Sequence, residues 1–333
     1  MEYTPLAAEL LAEDELPNVG EALGRNDGFL VRNGACWLVS ESDGQILVGH
    51  VDTNTSRVFD QQRRWPSPRP EGHGFASPLP DGGLAVTTPG LVTAYDADGR
   101  VRWTHPLDTW DDPQIASGAC TPDGTGRLLL VTAPGPTGNG SYAGDLCLAL
   151  DIQSGKPVSH TDLPSASAGY IFQQSLTDPG RLLLDAAQGD TFYSLAVQVD
   201  NGALHAEPVG LEDEPFAGVN LGTAALKLDV GGEWLGLYQA GHPDVSADAE
   251  DLLPKGKRFV GHRPGFLDTT RVLAAVAEEQ WSDDAQHLIL DALSLQPVGE
   301  LHYPGTTCLD PLALGDGTWL TIHGHSVRRW RTS

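Results

Sequence analysis

The stretch Ala94–Leu107, "AYDADGRVRWTHPL", has the pattern of a β-hairpin. Two runs in which apolar and polar residues alternate flank Asp98 and Gly99, and an Asp-Gly pair in that position is typical of a tight turn between antiparallel strands. Recurrence of this hairpin decides the fold class, because a pattern repeated at a fixed period indicates a repeat architecture.

The hairpin recurs, and its turns form three interleaved series. The first series is spaced by 38 to 56 residues and lies at Gly34, Gly82, Gly124, Gly180, Gly232, Thr270 and Gly317. The second series, to which the quoted turn belongs, lies at Asn54, Gly99, Gly155, Gly202 and Gln296. The third series lies between them at Gly44, Gly90, Gly144, Gly189, Asp284 and Gly324. Their constant order predicts four short strands in each of seven units.

The fifth unit departs from this pattern. The second and third series both skip it, and it contains the irregular stretch "HPDVSADAEDLLPKGKR" at residues 242–258. We therefore expect this unit to have lost its third-to-fourth turn near residue 249.

Four short strands in a unit of 40 to 50 residues are typical of a β-propeller, in which each unit is a blade buried only by its neighbours. Apolar runs such as "RLLLVTA" (127–133) fit inner strands, and polar runs such as "KPVSHTD" (156–162) fit outer edges. The sequence predicts an all-β, seven-bladed β-propeller with four antiparallel strands per blade.

Several segments resemble known propeller repeats. Residues 72–99, "GHGFASPLPDGGLAVTTPGLVTAYDADG", resemble a degenerate WD-repeat, and "GHSVRRW" (324–330) resembles the third strand of such a repeat. "LALDIQSGKPV" (148–158) and "YDADGRVRW" (95–103) resemble the quinoprotein-type repeat, also called PQQ-like. The resemblance implies blade geometry, with the long loops on one rim around a central channel, and it implies no particular activity.

The two ends of the chain are predicted to complete the last blade. After "SVRRWRT" (326–332) no residues remain for a fourth strand, so the N-terminal segment must supply it and thereby close the ring. Within residues 1–26 we expect a short capped helix over "LAAELLAED" (6–14), followed by the closing strand inside Leu16 to Asn26. Residues 27–333 would then form a single propeller domain.

Composition excludes several classes of function. The chain has 333 residues and a net charge of −25, which argues against binding of nucleic acid or anionic membranes. It has no positively charged leader and no apolar run of transmembrane length, so we expect a cytoplasmic protein. The cysteines are far apart and predict buried thiols in preference to disulfides or a zinc site; they are Cys36, Cys120, Cys147 and Cys308. We further expect a bacterial monomer with no metal and no cofactor.

The first candidate site is the loop at 62–73. Arg63, Arg64 and Arg69 around Trp65 suggest a clamp for an anion or a partner, because Arg and Trp dominate interface hot spots. The alternative is that these side chains brace a Pro-rich loop. His73 ends the same loop.

Other candidate residues lie on loops predicted to share that rim. Asp111 and Asp112 beside Trp110 suit calcium or general-base chemistry, or solvated charge. Trp281 with Asp283 and Asp284 suits a cationic or sugar-like ligand, or a loop that packs its own indole. Two further candidate sites lie elsewhere on this rim. Tyr142 lies in the loop 133–145, and His323 and His325 share a face of an extended strand, which permits metal binding if a third ligand is present.

Two classes of function follow from these residues. The first is a scaffold that binds a protein or peptide through its aromatic and Arg-bearing loops. The alternative is an enzyme, a lyase, hydrolase or cyclase, that acts on a small molecule at the channel mouth. Its candidate acid, base and electrophile residues would be His73, Arg63, Asp111, Asp284, His323 and His325. A quinone-dependent dehydrogenase is a weaker version, because neither the N-terminus nor the motifs support export and a bound cofactor.

Overall fold

The computed structural model describes residues 3–22, 27–32, 34–52, 57–69, 74–109, 118–135, 137–138, 141–142, 144–163, 169–175, 178, 180–188, 191–209, 216–217, 224–228, 231–239, 242–279, 285–305 and 310–332. These residues are mostly in β-strands, with two short helices, α1 (Val19–Ala22) and α2 (Ala249–Leu252). Within them, no helix is both long and apolar enough to cross a membrane.

The strands form successive sheets along the chain, which we number in chain order. Sheet 1 contains β2 (Phe29–Arg32), β3 (Ala35–Ser42), β4 (Gln45–Val51) and β5 (Phe59–Pro66). Sheet 2 contains β6 (Phe75–Pro78), β7 (Leu84–Thr88), β8 (Leu91–Tyr95) and β9 (Val101–Pro106). Sheet 3 contains β10 (Cys120–Pro122), β11 (Leu128–Pro134), β14 (Asp145–Asp151) and β15 (Pro157–Asp162); a separate hairpin of β12 (Thr137–Gly138) and β13 (Ser141–Tyr142) lies between β11 and β14.

The later sheets are less regular. Sheet 4 contains β16 (Gly169–Ser175), β17 (Arg181–Gln188), β18 (Thr191–Asp200) and β19 (Ala203–Pro208), with β20 (Phe216–Ala217) added beside β16. Sheet 5 contains β21 (Ala224–Leu228), β22 (Trp234–Gln239) and β23 (Val245–Asp248). Sheet 6 contains β24 (Arg258–Asp268), β25 (Arg271–Ala277), β26 (Gln286–Asp291) and β27 (Pro297–His302). Sheet 7 contains β28 (Leu312–Ala313), β29 (Thr318–His323), β30 (Ser326–Thr332) and the N-terminal strand β1 (Pro5–Glu15).

The chain is therefore all-β, and several of its sheets consist of four antiparallel strands. In the hairpin of residues 94–107, Tyr95 pairs with Val101 across the turn at Gly99. Gly99 has a φ of +82°, a conformation that glycine adopts without steric cost. The predicted turn positions that belong to the described residues fall between consecutive strands.

The fifth unit is irregular at the predicted place. Sheet 5 has three strands among the described residues. The helix α2 follows β23, at the place where the regular units have a turn and a fourth strand. The tyrosine hydroxyl of Tyr3 donates to the carbonyl of Leu252 in α2, at 3.0 Å.

The prediction of a helix over residues 6–14 was wrong. The strand expected to complete the last sheet was predicted inside Leu16 to Asn26, but the strand that pairs with this sheet lies earlier in the chain. Residues Pro5–Glu15 form β1, and α1 lies inside the segment that was expected to be a strand. The first three residues of β1 pair with β27 in parallel, and Ala8 to Glu15 pair with β30 in antiparallel. This pairing outweighs the helix propensity of Ala, Leu and Glu, which is worth only tenths of a kcal/mol per residue.

Neighbouring sheets share continuous apolar cores. One core cluster contains residues of sheets 1 to 4, another contains residues of sheets 5 and 6, and a third contains residues of sheets 6 and 7. A further cluster joins sheet 7 to sheet 1: it includes Leu320 and Val327 of sheet 7, and Leu38 and Leu47 of sheet 1. The first and last sheets of the chain therefore pack against each other.

Candidate functional site

Long connections leave the sheets at one end. In an antiparallel sheet the second and fourth strands run in the same direction, so the connections that follow them start at the same end. These include eight residues after β5, thirteen after β9, eight after β25 and nine after β27. Connections at the opposite end have two to seven residues. Several second-to-third connections, such as residues 43–44 and 89–90, are two-residue turns, so the long loops at this end are mostly those that link one sheet to the next.

Arg63, Arg64 and Trp65 lie in strand β5, and the prediction that they belong to a loop was wrong. Trp65 is buried, and its indole N–H donates to the carbonyl of Asp96 in sheet 2 at 2.9 Å. Arg63 donates to the carbonyl of Gly82, also in sheet 2. Trp65 and Arg63 thus join sheet 1 to sheet 2, which is the bracing alternative considered from the sequence.

Arg69 is also an internal residue. Its guanidinium forms an ion pair with Asp27 at 2.7 Å, and both side chains are almost fully buried. The same Asp27 oxygen accepts the backbone N–H of Ala76 at 2.9 Å. Arg69 therefore connects sheets 1 and 2 beneath the surface and presents no guanidinium to a partner.

His323 and His325 do not share the face of a strand. β29 ends at His323, and His325 follows in the turn before β30. The backbone N–H of Asn18 donates to Nδ1 of His325 at 2.7 Å, so this ring is held by the N-terminal segment. Burial, together with the nearby Arg328, lowers the pKa of His323. No group of three His, Cys, Asp or Glu in the described part of the chain is arranged to hold a metal ion.

The remaining predicted site residues are not described by the structure. His73, Trp110, Asp111, Asp112, Trp281, Asp283 and Asp284 lie outside the described residues. Tyr142 belongs to β13, but its side chain lies outside the described part. The connections that carry these residues all follow a second or a fourth strand, so they start at the end of the sheets that has the long loops.

Three cysteines are buried free thiols. Burial raises the pKa of Cys36 and of Cys147 to about 12, and raises that of Cys120 further. A thiol with such a pKa is protonated at neutral pH and is a poor nucleophile. Cys308 lies outside the described residues.

No prediction from the sequence included Arg32, which lies where the first strands of three sheets meet. Arg32 ends β2, and its Nε donates to Oγ1 of Thr121 in β10 at 2.8 Å. Its Nη2 donates to the carbonyl of Phe172 in β16 at 3.1 Å. One side chain of sheet 1 therefore contacts the first strands of sheets 3 and 4. The signal in the sequence was a single Arg at the end of the apolar run "FLVR" (29–32).

A second arginine reaches the first strand of sheet 1 from sheet 6. The guanidinium carbon of Arg263, in β24, lies 5.7 Å from the centre of the Phe29 ring, in the range of a cation–π contact. Burial lowers the pKa of Arg263, and the charge of Asp310 opposes that shift. First strands from sheets 1, 3, 4 and 6 are thus connected through two arginines.

No family model matches this sequence. No curated protein matches it. Two solved structures that resemble the chain are BamB from Moraxella catarrhalis, and BBS1N in complex with ARL6DN. The first is 12% identical, covers 97% of each chain and has a TM-score of 0.42. The second is 14% identical, covers 100% of this chain and 93% of that chain, and has a TM-score of 0.45. These identities and TM-scores are too low to indicate a function. The residues and contacts of the chain itself are therefore the basis for the proposals below.

Proposed function

We propose that the sheets are the seven blades of a closed β-propeller and that the first strand of each blade lines a central channel. The contacts of Arg32 support this arrangement, because a linear row of sheets would keep the first strands of sheets 1 and 4 apart. The shared core of sheets 7 and 1 supports closure, since these sheets lie at opposite ends of the chain.

Strand β1 is proposed to close the ring as the outermost strand of the last blade. Deletion of residues 1–15 should then lower the melting temperature strongly and promote aggregation, because it exposes the edge of β30. Addition of a synthetic peptide of residues 1–22 should restore the transition. Deletion of residues 1–4 is the matched control, because it leaves the β1–β30 pairing intact. An unchanged melting transition after deletion of residues 1–15 would contradict closure by β1.

The function that this architecture supports best is a scaffold that binds a protein partner. The observation that carries the proposal is the asymmetry of the sheets: connections of eight to thirteen residues start at one end, together with some two-residue turns, and connections at the other end have two to seven residues. A face built from long loops on a rigid set of sheets is the usual place for binding residues. The burial of Trp65 and Arg69 leaves Trp110 and Trp281 as the proposed aromatic contacts on this face.

The charge next to these two indoles indicates the chemistry of the partner. Asp111 and Asp112 follow Trp110, and Asp283 and Asp284 follow Trp281 closely. With a net charge of −25 on the whole chain, the field favours a segment that carries Lys or Arg beside an apolar side chain. We therefore propose a basic, partly apolar protein segment as the partner.

The chain is proposed to act in the cytoplasm. Among the described residues, three cysteines are free thiols and form no disulfide with one another. Unpaired thiols are usual in a reducing compartment.

Cross-linking in cells followed by mass spectrometry tests the scaffold proposal. A partner should be recovered with the wild type and lost with the double variant W110A/W281A, because the indoles provide the central contact area. Leu293→Ala is the matched control: Leu293 is 73% exposed and lies in the β26–β27 turn, at the opposite end of its sheet.

All three proteins should melt at similar temperatures, so that a loss of binding reports the surface. The same partner recovered with W110A/W281A, or lost with L293A, would overturn the proposed face. Recovery of no partner above an equally acidic control protein would overturn the scaffold function itself.

A further inference from the structure

Arg32 is a desolvated cation whose hydrogen bonds all go to neutral oxygens. The acceptors are Oγ1 of Thr121, the carbonyl of Phe172 and the carbonyl of Val31, which is the residue before Arg32. The hydrogen bond to Val31 is 2.8 Å long. Within the described part of the chain, no carboxylate forms an ion pair with it. A desolvated guanidinium without an acid is costly, and such a group is therefore a candidate binding site.

The guanidinium remains charged and has donors to spare. Desolvation lowers the pKa of Arg32 to about 10, so at neutral pH it still carries its proton. A guanidinium has five N–H groups, and three are used in the contacts above. One N–H remains on each Nη atom. A pair of donors in this fork matches the two oxygens of a carboxylate.

The surroundings of Arg32 provide access and an apolar wall. Arg32 is half-buried. Ile171 precedes Phe172 on β16, the first strand of sheet 4, and is 39% exposed. Because Ile171 is exposed and its strand is the first of the sheet, we place it on the proposed channel and not in the core between blades. The second guanidinium that reaches these first strands, Arg263, lies in the field of Asp310, which opposes the lowering of its pKa by burial.

We propose that Arg32 binds the carboxylate of a small organic monocarboxylate in the central channel, with the organic part of that ligand against Ile171. A single uncompensated positive charge is balanced by one negative charge. A dianion such as phosphate would leave an excess charge in a desolvated place, within a protein that already carries a net charge of −25. This site is separate from the loop face proposed to bind a protein.

Isothermal titration calorimetry tests the proposal with acetate, propionate and benzoate at constant ionic strength, and with inorganic phosphate as a separate arm. The wild type should bind monocarboxylates saturably, with benzoate or propionate tighter than acetate because of the apolar wall. Arg32→Gln should weaken binding by at least about tenfold, since it removes a charge-assisted bidentate contact. Arg100→Gln is the matched control, because Arg100 is highly exposed and pairs only with Asp98 among the described residues.

A second pair of variants decides the matter if Arg32→Gln does not fold. Ile171→Glu places a carboxylate on the channel wall, where it should compete with the ligand and weaken binding by at least about tenfold. Ile171→Gln, which has the shape of Glu without its charge, should bind acetate, the ligand that depends least on the apolar wall, within about threefold of the wild type. Absence of saturable binding to the wild type at millimolar ligand would overturn the proposal. Equal binding by Arg32→Gln, or tighter binding of phosphate than of monocarboxylates, would also overturn it.

Discussion

Two tryptophans join neighbouring sheets in the same way. Trp65 on β5 donates its indole N–H to the carbonyl of Asp96, at the β8–β9 turn of sheet 2. Trp103 on β9 donates to the carbonyl of Ile152, at the β14–β15 turn of sheet 3, at 3.0 Å. Each indole thus fixes an outer strand to the turn of the next sheet. The sequence marked Trp65 as a ligand-binding candidate because composition alone does not reveal which way a large side chain points.

Trp103→Phe should destabilise the protein by about 1 to 2 kcal/mol. The substitution keeps an aromatic ring but leaves the buried carbonyl of Ile152 without its donor. Denaturant unfolding measures the change. Val101→Ala on the same strand is the control, because Val101 is 57% exposed, and its cost should stay within about 0.5 kcal/mol. Equal effects of the two substitutions would show that the indole hydrogen bond contributes nothing.

Gly155 packs against the same indole, and its replacement should cost more than that of a comparable turn glycine. A Cβ at Gly155 would lie 2.5 Å from two ring carbons of Trp103, and φ is +67°. Gly202 has a φ of +83° with no atom within 4 Å of the added Cβ. Gly202→Ala should therefore cost about 1 kcal/mol from backbone strain alone.

Gly155→Ala should cost at least about 1 kcal/mol more than Gly202→Ala, because the ring must move as well. Chemical denaturation of both variants gives the comparison. Equal costs would mean that the indole adapts without loss, and would contradict the tight packing of this turn.

At the scale of elements, β1 differs most from the sequence-based expectation. Its residues have high helix propensity, yet it spans the outer edges of sheets 6 and 7. Asp14 accepts the backbone N–H groups of Val58 and Phe59, so the same strand also reaches sheet 1. Strand pairing with distant segments is a long-range interaction, and no local pattern in residues 6–14 encodes it.

Two carboxylates of β1 pair with arginines of β30 and make the docking of β1 pH-dependent. Glu13 contacts Ser326 and Arg328, and Glu9 contacts Arg331; these hydrogen bonds lower the pKa of both carboxyls below 4.5. A lowered folded-state pKa contributes stability that is present above pH 4.5 and is lost as the pH falls through the folded-state value.

Hydrogen exchange of β1, corrected for the intrinsic rate, should therefore show weaker protection as the pH falls from about 5 to about 3. The double variant E9Q/E13Q should remove most of this pH dependence and lower protection slightly at neutral pH, since exposed pairs contribute little. Glu15→Gln is the control, because Glu15 has no ion pair within the part that the structure describes. A pH dependence that is unchanged in E9Q/E13Q would contradict the role of these pairs.

At the scale of the whole molecule, Arg329 links the last sheet to the first. It is 1% exposed, forms an ion pair with Asp316, and donates to the carbonyls of Asp52 and Arg57 near the end of β4. Because these contacts and the shared core join sheets distant in the chain, we expect one cooperative unfolding transition.

Arg329→Met should lower the unfolding free energy by about 3 kcal/mol, because it removes a buried guanidinium that pairs with a carboxylate and donates to two carbonyls. Differential scanning calorimetry should show a lower melting temperature with a single transition. Arg331→Gln on the same strand is the control, because its ion pair with Glu9 is half-exposed, and its effect should stay within about 1 kcal/mol. Two separated transitions in the wild type would contradict a sheet 7 to sheet 1 interface that unfolds with the rest.

The sequence by itself determined the strand order, the turns and the irregular fifth unit. Turns such as Gly99 and Gly155 need backbone conformations that glycine favours, and alternation of apolar residues is a local property of a strand. The tertiary structure alone decided the partner of β1, the burial of Trp65 and Arg69, and the position of Arg32 among the first strands of three sheets. Those features depend on contacts between residues far apart in the chain, and such contacts arise only when the sheets pack around one another.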